Sequence, residues 1–252
     1  MDLKLQNKVV VITGGTGGIG KQICLDFLNE NAIVICLIRN KDKFNQLKTW
    51  FDSNHVSTRN LFAYECDLLN QKNIIETVKK IQTIHTRIDI LVNCAGTVIE
   101  MPFAMLDEAS VDKMLDTNLK AIMLLTQAVL KPMFAQSEGA IVNISSITAQ
   151  RGGRGVVAYA SAKAGLDSFT RTLAIEIGRK KIRINGVRPG AIETTMSEPL
   201  QARAQKHIQD AMILGRFGKP EEVSKGVLFL ASNETASYIT GTFLNIDGGY
   251  FV

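Results

Sequence analysis

Short uninterrupted runs of apolar residues alternate along the chain with longer stretches whose apolar positions recur at helical spacing. The first run, 9–13, carries no polar break until its last residue, the pattern of a strand covered on both faces of a parallel sheet. Six further runs read the same way: 33–38, 61–66, 88–93, 139–145, 182–187 and 241–246. Helical periodicity fills most of the intervals, over 19–29, 41–53, 71–85, 110–133, 159–178 and 220–230. Pro132 is taken to limit the fourth of these helices, because a proline inside a helix removes a backbone donor. Seven strands separated by helices predict an α/β fold, a doubly wound parallel seven-stranded sheet with helices on both faces. No proline- or serine-rich linker and no repeat divides the chain, so residues 1–252 are read as a single domain.

Composition narrows the class. The hydrophobic fraction of 46% is that of an ordinary globular protein. No run of about 18 apolar residues suggests a membrane span. The opening residues enter the first strand without an export signal, and Cys24, Cys36, Cys66 and Cys94 stand singly. These features predict a reducing, cytoplasmic setting with free thiols. His55, His85 and His207 lie at no ligand spacing to a cysteine or to each other, so no metal site is expected. The net charge of +5 is modest, and no recognition helix or aromatic platform accompanies it, which argues against nucleic acid as a partner. The densest basic run, Arg179-Lys180-Lys181 with Arg183 and Arg188 after it, reads either as a solvated turn or as a surface that attracts an acidic partner.

Two stretches carry chemistry. In Tyr159-Ala160-Ser161-Ala162-Lys163 a phenol and an ammonium stand four positions apart, on one face of a helix. The positive charge is expected to favour the phenolate and lower the tyrosine pKa, which suits a general acid or base. Thr13-Gly14-Gly15-Thr16-Gly17-Gly18-Ile19-Gly20 lies between the first strand and the first helix. Glycine permits close approach to a pyrophosphate, and a helix N-terminus offers free N–H groups to it.

That glycine-rich turn in its G-x-x-x-G-x-G form, Asn93-Cys94-Ala95-Gly96, Asn118, Ser146, Tyr159-x-x-x-Lys163 and Arg188-Pro189-Gly190 occur in order over essentially the whole chain. Together they resemble the short-chain dehydrogenase/reductase family, whose fold is Rossmann-like. The resemblance implies catalytic roles for Asn118, Ser146, Tyr159 and Lys163. Tyr159 would be the proton donor to a carbonyl. Lys163 would lower its pKa and hold the nicotinamide ribose. Ser146 would bond the substrate oxygen; chemistry alone leaves Ser145 and Ser146 open, and the family's interval to the tyrosine selects Ser146. Asn118 would bend its helix and hold a relay water. The resemblance also implies dinucleotide contacts from Gly14, Thr16, Gly17, Gly18, Ile19 and Gly20. Further contacts would come from Asp67 and Leu68 at the adenine, from Asn93, Ala95 and Gly96, and from Pro189, Gly190, Ile192 and Thr194 at the carboxamide.

The end of the second strand reads Leu37-Ile38-Arg39-Asn40, with no acid where a ribose hydroxyl would be met. Arg39 suits a 2′-phosphate, which predicts NADP(H); the alternative is a merely superficial arginine. Segment 193–217 is expected to form a lid, with Met196, Leu200, Met212, Ile213 and Leu214 lining an apolar cleft together with Val98, Ile99 and Met101, or only packing the lid down. The overall likeness is greatest to 3-oxoacyl-[acyl-carrier-protein] reductases, which implies an acyl-thioester substrate. An acidic acyl carrier protein would then be steered by Arg179, Lys180, Lys181 and Lys131, although Ser137-Glu138 stands where a basic residue is expected. The competing readings are a dehydrogenase of a small secondary alcohol, sugar or steroid, and a non-catalytic dinucleotide-binding regulator. A homotetramer is implied by the same resemblance.

Overall fold

The computed structural model describes residues 2–198, 202, 206 and 209–250. Seven strands form one sheet: β1 (Val9–Thr13), β2 (Ile33–Ile38), β3 (Leu61–Glu65), β4 (Ile90–Asn93), β5 (Gly139–Ile144), β6 (Ile182–Pro189) and β7 (Phe243–Ile246). All neighbours run parallel, in the order β3-β2-β1-β4-β5-β6-β7. The helices that build the core and the site are α1 (Gly18–Asn29), α2 (Lys41–Ser53), α3 (Gln71–His85), α4 (Glu108–Leu115), α5 (Ala121–Gln136), α6 (Thr148–Arg151), α7 (Val157–Ile177), α8 (Pro220–Ala231) and α9 (Asn233–Ala236).

Alternate residues of each strand point to opposite faces, so the central strands feed two cores. Val10, Ile12, Val34 and Cys36 pack with Phe27 of α1, Phe51 of α2 and Val227 of α8. Val9, Val11, Ile35 and Leu91 pack with Ile74 of α3, Leu125 and Met133 of α5 and Ile177 of α7. Helices therefore cover both faces, which is why the strands read as unbroken apolar runs. Strand order reverses between β1 and β4, the point outside whose carboxyl ends an open α/β sheet carries its ligand crevice.

The fourth predicted helix differs from its sequence reading. It is not one helix over 110–133 but α4, a π-helical turn over Asp116–Lys120, and α5. Pro132 does not end it. Leu125, Ala128, Val129, Pro132 and Met133 are all buried on one face, and that packing carries α5 a turn past the proline despite its missing donor. α6 and α9, each a single turn, carry too few residues to show a period. Strand ends move by a residue or two, the usual uncertainty of a pattern reading.

Candidate active site

The reversal point is built from the ends of β1, β4 and β5. Thr13, Asn93 and Asn143 lie in register across the three strands. The Thr13 hydroxyl accepts from the N–H groups of Cys94 (3.0 Å) and Ala95 (2.9 Å), which ties the turn after β4 to the glycine-rich turn after β1. The Asn93 side chain is turned inward: Nδ2 donates to Asn143 Oδ1 at 2.8 Å and to Thr126 at 3.2 Å. The structure therefore brings only the backbone of Asn93 to the crevice.

Gly14 adopts φ +69°, and a Cβ there would stand 2.8 Å from the Ala95 nitrogen. At Gly20 a Cβ would fall 2.1 Å from the Gly14 carbonyl oxygen. These two positions let the turn fold flat under the start of α1. Its N-cap, Gly17, offers no side chain to the free N–H groups of the first turn. Thr16 and Ile19 are half-buried in the same turn.

On the other side of the crevice, α7 carries Tyr159 and Lys163 one turn apart. Lys163 is buried and donates to the Ile144 carbonyl at the end of β5 (2.7 Å), with its Nζ 5.8 Å from the centre of the Tyr159 ring. Ser146, just past β5, accepts from the Thr148 N–H (3.2 Å) and hydroxyl (2.9 Å) and lies close enough to Tyr159 to pull its pKa down. Asn118 sits in the π turn with every polar atom engaged. Its Oδ1 accepts from Thr97 N–H (3.0 Å), and its Nδ2 donates to the carbonyls of Thr97 and Met114 (both 2.9 Å). A side chain at Gly96 would lie 2.9 Å from Asn118 Oδ1 and 3.7 Å from Lys163 Nζ. Asn118, Ser146, Tyr159 and Lys163 thus converge beside the turn after β4.

The electrostatics correct one expectation. Tyr159 is raised above the ordinary phenol value, chiefly by burial; its bond with Ser146 pulls it down, and the nearby Cys94 pushes it up. The Lys163 ammonium, turned to the Ile144 carbonyl, does not offset that rise. Burial also depresses Lys163 itself, to about 8, against the upward pull of Cys94 and Asp167. The Cys94 thiol is pushed up to about 12 by burial, eased by Lys163.

The remaining expected residues are spread around this centre. Arg39 is exposed just past β2, where Asn40 caps α2 by accepting from the N–H groups of Asp42 and Lys43. The Asp67 carboxylate accepts from the Leu69 N–H, and Leu68 packs on the core. Pro189 closes β6, its carbonyl accepting from Ile147 N–H at 3.1 Å, and Gly190 donates to the Ile246 carbonyl at 2.9 Å. Ile192 is buried. The methyl of Thr194 closes on Gly18, where a Cβ would be 2.7 Å away. In the lid, Ile213 and Leu214 line a cavity of about 400 Å³, but with Ala191 and the residues after β7 rather than with Val98, Ile99 or Met101. Met212 is buried and Met196 exposed. Leu200 lies outside the described residues. Among the described residues no group of histidine, cysteine or carboxylate side chains could hold a metal, and no helix is long and apolar enough to cross a membrane.

Residues 14–251 match the family described as "Enoyl-(Acyl carrier protein) reductase". The chain belongs to the short-chain dehydrogenase/reductase family. A short-chain dehydrogenase/reductase from Thermotoga maritima, named 3-oxoacyl-[acyl-carrier-protein] reductase FabG, is 38% identical over 99% of this chain and 100% of its own length. The protein of the same name from Aquifex aeolicus is 36% identical, with both chains covered in full. Among solved structures, the crystal structure of gox2181 superposes with a TM-score of 0.93 at 30% identity, over 99% of this chain and 97% of its own.

Membership in the short-chain dehydrogenase/reductases brings a nicotinamide dinucleotide as the cofactor class, and the residues fit one. A Cβ at Gly14 or Gly20 would collide with backbone, and the uncapped α1 N-terminus stands behind the turn. Two participants escape a sequence reading. Thr13 looks like the last residue of an apolar strand, and only the 81-residue reach to Cys94 exposes its function as a tie. Asp167 is an unremarkable polar position on a helix until its partners, 21 and 22 residues away, are placed beside it.

Proposed function

We propose that this protein is an NADPH-dependent 3-oxoacyl thioester reductase, converting a ketone to a secondary alcohol on an acyl chain presented by an acidic carrier protein. The observation that carries the reading is the meeting of Ser146, Tyr159 and Lys163 at the carboxyl ends of β4 and β5, opposite the glycine turn. The likeness of the whole chain to two carrier-protein reductases supports the substrate class. Ser146 holds the ketone oxygen by a hydrogen bond. Tyr159, whose phenol burial keeps protonated at neutral pH, donates its proton to that oxygen as negative charge develops. The Lys163 ammonium, about 6 Å from the ring, stabilises the phenolate left behind. Asn118 holds the turn after β4 in place. When bound, the dinucleotide supplies the hydride. Its phosphates are assigned to the turn Gly14–Gly20, its adenosine end to Arg39, Asp67 and Leu68, and its nicotinamide end to Ala95, Gly96, Pro189, Gly190, Ile192 and Thr194. A charge-assisted bond from Arg39 to a 2′-phosphate contributes about 1.5–3 kcal/mol, a preference for NADPH of roughly tenfold or more.

The protein is further proposed to work in the cytoplasm as a homotetramer, with exposed Lys131, Arg179, Lys180 and Lys181 steering the carrier. NADPH oxidation measured against 3-oxoacyl thioesters of graded length, with a cyclic ketone beside them, tests the substrate. Turnover of thioesters above the ketone supports the reading, and the reverse favours a small-alcohol dehydrogenase. NADH preferred to NADPH would remove the role given to Arg39. Turnover of carrier-bound substrate should fall with salt more steeply than turnover of a small thioester mimic.

A further inference from the structure

A buried ion pair lies between α7 and the ends of β5 and β6, and the chemistry above gives it no role. Asp167 follows Lys163 by one helical turn, on the same face of α7. Its side chain is 4% exposed and that of Arg188, near the end of β6, 8%. Arg188 Nε and Nη2 meet one carboxylate oxygen at 2.8 and 2.7 Å. The other carboxylate oxygen accepts from the Ser145 hydroxyl at 2.5 Å. The guanidinium also lies 4.2 Å over the Phe243 ring of β7, with Nη1 3.5 Å from Asn245 Oδ1. The pair therefore ties together the end of β5, α7, β6 and β7.

Stability is a weak reason for such a pair, since burying two charges costs as much as their attraction returns. Position in the chain supplies a better one. Ser145 immediately precedes Ser146, Arg188 immediately precedes Pro189-Gly190, and Asp167 lies one turn beyond Lys163. We propose that the Asp167–Arg188 pair is a positioning element of the reductase site, holding Ser145 away from the crevice so that Ser146 faces Tyr159, and fixing Lys163 and the Pro189-Gly190 turn to one anchor. The inference rests on the reductase reading for its kinetic consequence, not for its geometry. The groups that face Lys163 are Tyr159 and Asp167 from α7, Cys94 and Asn118 from the elements around the β4 turn, and the Ile144 carbonyl of β5, with Arg188 beyond the carboxylate. Asp167 is the anion among them, and it holds the Lys163 pKa up against burial.

The test uses the full chain labelled with carbon-13 at lysine Cε. The variants are Asp167→Asn, the neutral double variant Asp167→Asn with Arg188→Gln, and Ser145→Ala. In whichever Asp167 variant folds, the Lys163 resonance should titrate about half a unit or more below its wild-type midpoint. The alkaline limb of kcat should move with it, and kcat should fall roughly tenfold or more. Asp167→Glu should recover part of both, and Ser145→Ala should leave the midpoint in place. A folded Asp167 variant with wild-type midpoint and kcat overturns the proposal, as does failure of both variants to fold, which assigns the pair to folding alone. If the wild type turns over no thioester, the reductase reading falls while the titration still judges the pair.

Discussion

At Lys163, burial works against the charge that the proposed chemistry needs. The lysine sits at about 8 in the fold against about 10.4 in the unfolded chain. Below pH 8 both states hold the proton and the penalty for burying it is fully present. Between pH 8 and about 10.4 the unfolded chain binds the extra proton, so stability rises with pH. Wild-type protein should therefore gain up to about 3 kcal/mol relative to Lys163→Met over that window, a gain read by urea unfolding of both proteins at pH 7.5 and 10. Tyr159→Phe keeps the ring and loses the proton; it should bind NADPH normally, by fluorescence titration, and lose about 10²–10⁴-fold in turnover. Spacing four apart in a helix made the closeness of Tyr159 and Lys163 legible from the sequence. It could not reveal how deeply each would be buried, and burial decides the direction of both pKa shifts.

At the scale of elements, the glycine turn works by contact rather than by flexibility. Gly20→Ala would drive a methyl into the Gly14 carbonyl, which is backbone and cannot step aside. The expected result is a loss of about 1–3 kcal/mol in stability, with dinucleotide binding weakened along with it. Gly17→Ala, whose Cβ would keep an ordinary 3.4 Å from the same oxygen, should leave stability nearly unchanged. Thermal melts and cofactor titration of the two variants check this contrast. The seven strands were readable because sheet residues covered on both faces are apolar without interruption. At Asn118 only the family resemblance implied a bend; apolar spacing runs through the π turn undisturbed, and there the side-chain amide reaches Thr97, 21 residues back. The passage of α5 through Pro132 was hidden for a related reason: tertiary packing outweighs local preference there.

Over the whole molecule, apolar side chains remain uncovered on α5, α7 and β7, among them Met123, Phe134 and Leu244. Ile175, 83% exposed on α7, stands out as the test position. Light scattering should report four chains per particle, and Ile175→Glu should shift the population to smaller species without altering circular dichroism. A wild-type monomer, or a tetramer indifferent to Ile175→Glu, would remove these faces from the assembly. The doubly wound parallel sheet was legible in the alternation of apolar runs and helices, but the contacts that join distant elements, such as Thr13 to the β4 turn or Arg188 to Asp167, depend on side chains that no periodicity reports.

Pairing of β1 with β4 has a consequence for biosynthesis. These strands lie some 80 residues apart, and β2 and β3 are synthesised between them. As the polypeptide leaves the ribosome, β1 can pair early with β2, but the glycine turn has no roof until Cys94 and Ala95 emerge and donate to Thr13. Until then the nascent N-terminal portion exposes an unpaired edge of β1, the stretch of synthesis in which a chaperone has the most to shield.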